Sequence, residues 1–269
     1  MMPNTRKSAI VLGANDIGSA VAIELLNSGF MVVLNESPAP SVTRRGQSFA
    51  DAVFDKSAVL NGVEVRCLED LETWISTASA DGEIALTTQA LCMVLESICP
   101  DVLVDARMRK RVIAENQRGL APLVIGLGPG FTAGGNVDVA VETAWGDDLG
   151  KPVLQGPTRD LAGEPRPIGG YGRERYVYAP GPGVFHTALS IGDNVNEGDI
   201  LAHVGELPIA APISGQLRGL VHDGVPVVTK AKIVEVVPFG SPIYGITERP
   251  LRIAQGVIAI LRAREIIRP

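Results

Sequence analysis

The sequence is short of cysteine, histidine and long apolar runs, and each shortage closes a class of function. Its three cysteines, Cys67, Cys92 and Cys99, form no CxxC pair. An odd, scattered set suits a reducing compartment and argues against structural zinc, leaving buried apolar thiols as the expectation. The three histidines, His186, His203 and His222, are 17 and 19 residues apart and lack metal-ligand spacing such as HxxxH, so no metal site is expected. No apolar run approaches the roughly eighteen residues of a membrane span, which argues against a membrane partner. Polar Asn15 and Asp16 follow the N-terminal basic residues too soon for a signal peptide, so a cytoplasmic location is expected. A formal charge of −6, and no basic run longer than RMRKR at 107–111, exclude nucleic acid as the main partner. There is no GxSxG elbow, P-loop or Cys–His signature. What remains is a 269-residue chain, 46% hydrophobic and 20% charged, with enough apolar residues for one large or two modest globular domains.

The N-terminus carries the most structured signal. A short β-type run, Ala9–Leu12, meets the glycine turn GANDIG at 13–18, and IGSAVAIELLNSG follows with Ile17, Ala20, Val21 and Leu25 near helical spacing. A second run, FMVVLNE, ends in Glu36, 23 residues after Gly13. Strand, glycine turn, helix, strand and terminal acid form the dinucleotide-binding pattern: the backbone of Gly13, Asn15, Asp16 and Gly18 approaches a pyrophosphate, and Glu36 takes ribose hydroxyls. Glu36 would select NAD(H) over NADP(H), because a carboxylate repels a 2′-phosphate. Two residues run against the pattern. Asn15 replaces the middle glycine, and Asp16 places a negative charge where phosphate should lie; Asp there is also a good helix cap.

The alternation continues with VEVRC at 63–67, EIALT at 83–87, helical ALCMVLESI at 90–98, DVLVDA at 101–106 and PLVIGLG at 122–128. Short β runs separated by helical patterns predict parallel strands with right-handed crossovers. Ligands in such sheets bind beyond the carboxyl ends of strands. There the sequence puts GANDIG, Asp105 with Arg107, Arg109 and Lys110, and the loop GLGPGFTAGG with Gly128, Gly130, Phe131 and Gly134. Arg44 and Arg45 follow the second strand and reach for the same edge. Basic groups beside a glycine-rich edge suit a small anionic ligand, phosphate or carboxylate. Asp138 and Glu142 either pair as acid and base or serve the nearby loop backbone.

Beyond Gly135 helical periodicity stops, and from about Tyr176 to Pro238 the chain is short β runs and turns. IGDNVNEGDIL at 191–201 and HDGVPVVTKAKI at 222–233 form an approximate repeat around PIAAPISGQL. This block resembles the barrel-sandwich of biotinyl and lipoyl carrier domains, but the hairpin tip VGELP at 204–208 has no lysine to carry a cofactor. A final segment, ERPLRIAQGVIAILRAREII, reads as one helix with Pro250 in its first turn, packed on the α/β half or on a second subunit. The expected fold is therefore a Rossmann-like parallel α/β domain over 1–128, a glycine-rich connection over 129–175, a small all-β, lipoyl-like barrel-sandwich over 176–240, and a C-terminal helix within 241–269.

GANDIGSAVA, TRRGQSFADAVFD at 43–55, VDARMRK at 104–110, GLGPGFTAGGNVDVAVET at 126–143, IGG at 168–170 and APISGQLRGLVHDG at 211–224 occur in one order along the chain. In this it resembles the YqeB-type family of selenium-dependent molybdenum hydroxylase system accessory proteins, whose first half is similar to XdhC-type factors. The resemblance covers nearly the whole chain and marks Gly13, Asp16, Arg44, Arg45, Asp105, Lys110, Gly128, Gly130, Phe131, Gly134, Asp138, Glu142 and Thr143. The chain departs from it with GAND for GAGD, ETAWGD for ET-x-RGH at 142–147, and Thr229 for a glycine. The resemblance implies an accessory or maturation protein that binds an anionic nucleotide or cofactor and docks a client enzyme. The alternative is an NAD(P)-dependent oxidoreductase, with NAD(H) or another nucleotide-type cofactor; a homo-oligomer is compatible with either.

Overall fold

The computed structural model describes residues 7–77, 83–109, 112–161, 163 and 165–267. The first half contains strands β1 (Ser8–Leu12), β2 (Met31–Asn35), β3 (Ser57–Leu60), β4 (Val63–Cys67), β5 (Ile84–Thr87), β6 (Val102–Asp105) and β7 (Leu123–Leu127). Four helices accompany them: α1 (Asp16–Asn27), α2 (Ala52–Asp55), α3 (Leu71–Thr77) and α4 (Leu91–Ile98). Four short strands follow: β8 (Thr132–Ala133), β9 (Val139–Val141), β10 (Pro152–Val153) and β11 (Gly156–Pro157). The second half holds β12 (Tyr176–Tyr178), β13 (Gly183–His186), β14 (Asn194–Val195), β15 (Ile200–Val204), β16 (Leu207–Ala210), β17 (Gly215–Leu220), β18 (Pro226–Val227) and β19 (Lys232–Val237). Helix α5 (Glu248–Ala263) ends the set.

One nine-stranded sheet, in the order β10-β9-β7-β6-β1-β2-β5-β4-β3, organises the larger unit. Its interior strands are parallel, and both edges, β10 on β9 and β3 on β4, are antiparallel. Strands β1 and β7 are buried at every residue, as continuous apolar runs should be when both sheet faces are covered. Alternate residues feed two cores. Ala9, Val11, Val32 and Val104 join α1 and α5 on one face; Ile10, Leu12, Val33 and Leu103 join α3 and α4 residues Leu71, Val94 and Ile98 on the other.

Two glycines make the helix packing possible. Gly13 turns the chain with φ +96° ahead of α1, and a Cβ on Gly18 would lie 1.9 Å from the Gly13 carbonyl oxygen. A Cβ on Gly256 would lie 2.0 Å from the Gly150 carbonyl oxygen, so α5 rests directly on that turn.

These observations correct the expected fold class. The sheet is mixed rather than all parallel, and it does not end at residue 128: the segment read as a connection supplies β9 and β10. Helix α5 shares the core of this unit, so the C-terminal segment belongs with the N-terminal half. The lipoyl-like barrel-sandwich is corrected to two four-stranded antiparallel sheets, β12-β19-β17-β14 and β16-β15-β13-β18, around one core that includes Phe185, Leu217, Ile233 and Val236. The sequence repeat appears as β14–β15 and β18–β19, each a two-residue strand, a turn and a longer strand, with the copies exchanging partners between sheets. The thiols also differ from expectation: Cys92 and Cys99 are exposed and Cys67 is half-buried, because α4 turns its Cys92 side outward. Among the described residues no helix is long and apolar enough to cross a membrane.

Replacing Gly256 with Val should lower unfolding free energy by about 1–3 kcal/mol, the usual cost of overpacking a tight contact. A shifted urea midpoint with unchanged slope would show it; an unchanged midpoint would mean that α5 does not need this approach.

Candidate functional site

At the start of α1 the sequence-predicted residues do meet, but they bind one another. Asn15 caps the helix, its Oδ1 accepting from the Ile17 and Gly18 N–H groups at 3.0 and 3.2 Å while its Nδ2 donates to the Ala106 carbonyl. Glu36 Oε2 accepts from the Ala14 N–H at 2.8 Å. The N–H groups of Gly13, Ala14, Ile17 and Gly18 are thus already used, because a buried donor must find an acceptor and the chain supplies its own. Asp16 then occupies the mouth of the helix, ion-paired to Arg44 at 2.9 Å.

The remaining predicted residues form separate structures nearby. Asp105, fully buried, accepts from Arg107 Nε at 3.0 Å and Gln117 Nε2 at 2.6 Å, and pairs with Arg109 at 3.3 Å. Gly128, Gly130 and Gly134 all take positive φ, and Phe131 is buried against Gly126. The loop is braced by Thr158 Oγ1, which donates to the Gly128 carbonyl, and by Asn136 Nδ2, which donates to that of Gly130. Arg45 pairs with Asp51 at 2.6 Å instead of joining the edge. Asp138 accepts from the Val124 N–H and Arg118, and Glu142 from the N–H groups of Thr143, Ala144 and Arg159; the two carboxylates serve backbone and do not act as a pair. Lys110 lies outside the described residues.

A different constellation joins the two units. Glu235, in the middle of β19 and fully buried, accepts from Arg218 Nη1 at 3.0 Å, Arg44 Nε at 3.1 Å and Arg175 Nε at 3.3 Å, with Lys232 Nζ at 3.7 Å. Arg175 is itself almost fully buried; it donates to the Tyr171 carbonyl and, through Nη2, to the Tyr176 hydroxyl. Arg175 and Lys232 both lie over the Tyr176 ring, at 4.4 and 4.7 Å from its centroid. Arg44 links this cluster to Asp16, and Arg249, in the first turn of α5, completes it within electrostatic reach of Asp16, Arg44 and Tyr176. Arg249 donates Nε to the Thr143 carbonyl at 2.9 Å and has no carboxylate within ion-pair distance among the described residues.

Among the described residues five cations, Arg44, Arg175, Arg218, Lys232 and Arg249, lie around the carboxylates Asp16 and Glu235, and the field of Glu142 also reaches Arg249. Burial opposes ionisation of Glu235, yet Arg44, Lys232 and Arg218 outweigh it and hold the carboxyl far below its usual 4.5. Burial likewise works against ionised Asp16, and Arg44 and Arg249 reverse it. The arginines carry the opposite strain: burial, with repulsion from Arg44, pushes Arg218 and Arg249 down despite Glu235 and Asp16. Among the described residues Arg218 Nε is buried with no hydrogen-bond partner.

Of these residues the sequence pointed to Asp16 and Arg44 alone. Glu235, Arg175, Arg218, Lys232, Tyr176 and Arg249 were missed; the available signal was a lone charge inside an apolar strand, Glu235 in KIVEVV and Arg218 in GQLRGL. Among the described residues no group of three or more His, Cys, Asp or Glu is placed to hold a metal ion.

No family model matches the chain. It is similar to YqeB, an uncharacterized protein of Escherichia coli (strain K12), at 34% identity over 268 positions, covering 96% of this chain and 48% of that one. The chain thus spans about half the length of that relative. Among solved structures it is similar to a product-bound ectoine utilization protein EutE (DoeB) from Ruegeria pomeroyi, at 22% identity over 31% of this chain and 27% of that one, with a TM-score of 0.22. A succinylglutamate desuccinylase/aspartoacylase from Rhodobacter sphaeroides matches at 16% identity over 55% and 61%, with a TM-score of 0.24. An aspartoacylase family protein from Mesorhizobium loti matches at 11% identity over 87% and 85%, with a TM-score of 0.25. The last two bear the names of a desuccinylase/aspartoacylase and an aspartoacylase family protein, and none of the three bears that of a molybdenum hydroxylase accessory factor, a lipoyl-like domain or an NAD(P)-dependent oxidoreductase. The self-occupied helix mouth is what corrects the expectation: it removes the nucleotide or cofactor site at the strand edge on which both the accessory-protein reading and the oxidoreductase alternative were built. The likenesses are too slight to assign an activity to this chain.

Glu235→Gln should cost about 3–5 kcal/mol, since it leaves buried cations without their counter-charge. Because folding depresses this carboxyl, its contribution is complete above the unfolded value near 4.5 and is lost as pH falls toward the folded one. The gap between wild-type and variant urea midpoints should therefore narrow between about pH 5 and pH 2; a constant gap would place the stabilisation elsewhere.

Proposed function

We propose that the chain binds a small anion at the junction of its two units, on the rim formed by Arg44, Lys232 and Arg249 above the Glu235 floor. The observation that carries this is Arg249, which among the described residues has no carboxylate within ion-pair distance and donates only its Nε, to the Thr143 carbonyl. Buried charge is tolerated where it is paired, so a half-buried arginine without a carboxylate beside it is completed by an anion from outside. The rim is accessible: the side chains of Arg44 and Lys232 are 19% and 30% exposed, whereas Glu235 beneath them is fully buried. Arginine suits the task because its planar fork meets carboxylate or phosphate oxygens in pairs. We also infer kinship with the YqeB-type family, supported by the 34% identity to the Escherichia coli protein; no accessory role is carried over with it. A cytoplasmic location belongs to the same proposal and is supported by three cysteines without a disulfide.

Inorganic phosphate should raise the melting temperature in proportion to the logarithm of its concentration, by mass action on the folded state. Arg249→Gln should weaken that binding about 10- to 100-fold, the equivalent of roughly 1.5–3 kcal/mol for a charge-assisted contact, while leaving the ligand-free melting temperature nearly unchanged. No response to phosphate or to a carboxylate such as succinate in the wild type would remove the function.

A further inference from the structure

Strand β3 is an open edge, and we propose that an extended peptide segment carrying a basic residue docks on it as a further strand. Between β3 and β4 the Cys67 N–H donates to the Lys56 carbonyl, and Ala58 and Leu60 lie opposite Val65 and Val63 in the same register. Hydrogen-bonded pairs alternate along an antiparallel ladder, so the N–H and C=O groups of Ser57 and Val59 point away from β4. Because β3 ends the nine-stranded sheet, these groups have no hydrogen-bond partner among the described residues. Other strands at sheet edges are blunted in the usual ways. Strands β10, β16 and β18 carry Pro152, Pro208 and Pro226, β12 has a register shift, and β14 is two residues long. Strand β3 has four residues without proline, charge or bulge, and its Val59 is 68% exposed.

This edge opens into a groove of about 390 Å³, with Ile191 and Tyr244 in its wall and Arg45, Asp51 and Asp55 supplied by the segment that leads into and through α2. The wall is fixed in place. The Tyr244 hydroxyl donates to the Ile191 carbonyl at 2.8 Å, a Cβ on Gly46 would lie 2.7 Å from the Tyr244 ring, and Asn61 Oδ1, in the β3–β4 turn, accepts from the Ile246 N–H at 3.2 Å. A walled groove of this size takes one segment, whereas a second copy would have to bring a whole sheet edge into it. Charge then selects the segment. Asp51 is answered by Arg45 at 2.6 Å and Lys56 pairs with Glu69, but Asp55 has no ion-pair partner among the described residues. A residue of the added strand opposite Ala58 shares the face on which α2 packs, with Asp55 at the end of that helix. Lysine or arginine there meets Asp55. The flanking residues, opposite Ser57 and Val59, lie on the other face beside Val59, which suits β-branched side chains. Main-chain bonds supply the affinity and the alternate side chains the choice of partner.

Fluorescence anisotropy with a labelled Thr-Val-Lys-Val-Thr peptide, whose side chains alternate identically in either strand direction, tests this on the whole chain at low ionic strength. The peptide should bind saturably, and the same peptide N-methylated at every amide should not. Glu in place of its Lys should weaken binding at least about 3-fold, within the range of an exposed charge pair, and Asp55→Asn should remove that difference. Val59→Pro deletes one outward N–H and no bond to β4, so it should leave the melting temperature nearly unchanged while weakening peptide binding at least about 10-fold. The N-methylated peptide asks the same question without altering the protein. Absence of saturable binding, or equal binding of the N-methylated peptide, would overturn the proposal. Self-association of the chain that Val59→Pro abolishes would overturn it too, and assign the edge to a second copy.

Discussion

One buried carboxylate holds the two units of this protein in register. Glu235 sits in the centre of an apolar strand and gathers cations from four places: Arg44 beyond β2, Arg175 before β12, Arg218 on β17 and Lys232 on its own strand. Taking a carboxylate out of water costs several kcal/mol, and only close, hydrogen-bonded counter-charges offset it. The geometry must therefore be kept. Arg44 extends the arrangement across the junction to Asp16, so the position of the β unit and the mouth of the first helix are set by one chain of contacts, while the apolar cores lie on either side of it.

That chain of contacts explains why a helix start resembling a nucleotide site is not one. A phosphate at a helix N-terminus satisfies open N–H groups and answers the positive end of the helix dipole. Here Asn15 and Glu36 satisfy the N–H groups, and Asp16 supplies the negative charge. Having taken the ligand's place, Asp16 needs a cation, which is Arg44; and Arg44 brings in Glu235. The electrostatic demand moves outward from the strand edge to the junction, where Arg44 answers Asp16 and Glu235 together.

The strands and helices written as strong periodic runs were legible in the sequence: β1, β2, β5, β6 and β7, with α1, α4 and α5, follow from apolar spacing and glycine turns. Strand β3 was not, because SAVL is four residues with an exposed side and pairs only through a turn at Asn61 and Gly62. Nor was β10, whose pairing depends on β9 and not on its own two residues, whereas VDVAVET reads as a possible strand and supplies β9. The glycine loop at 128–135 was correctly seen as a special backbone, since three of its glycines take positive φ, but its hydrogen bonds turn inward. The junction cluster was hidden for a different reason. Its members are up to 191 residues apart, as Arg44 and Glu235 are, and charge pairing at that separation leaves no local pattern.

The return of α5 to the first core has a mechanical corollary. The β unit, β12 to β19, lies in the chain between β10 and α5, and both of these belong to the nine-stranded unit. It is an insertion held by two covalent straps, not a bead on one tether. A body tied at two points has lost free rotation, and the Glu235 contacts hold it at a third. One strap leads into the turn that carries Arg249, so that guanidinium is delivered to the junction by the strap itself.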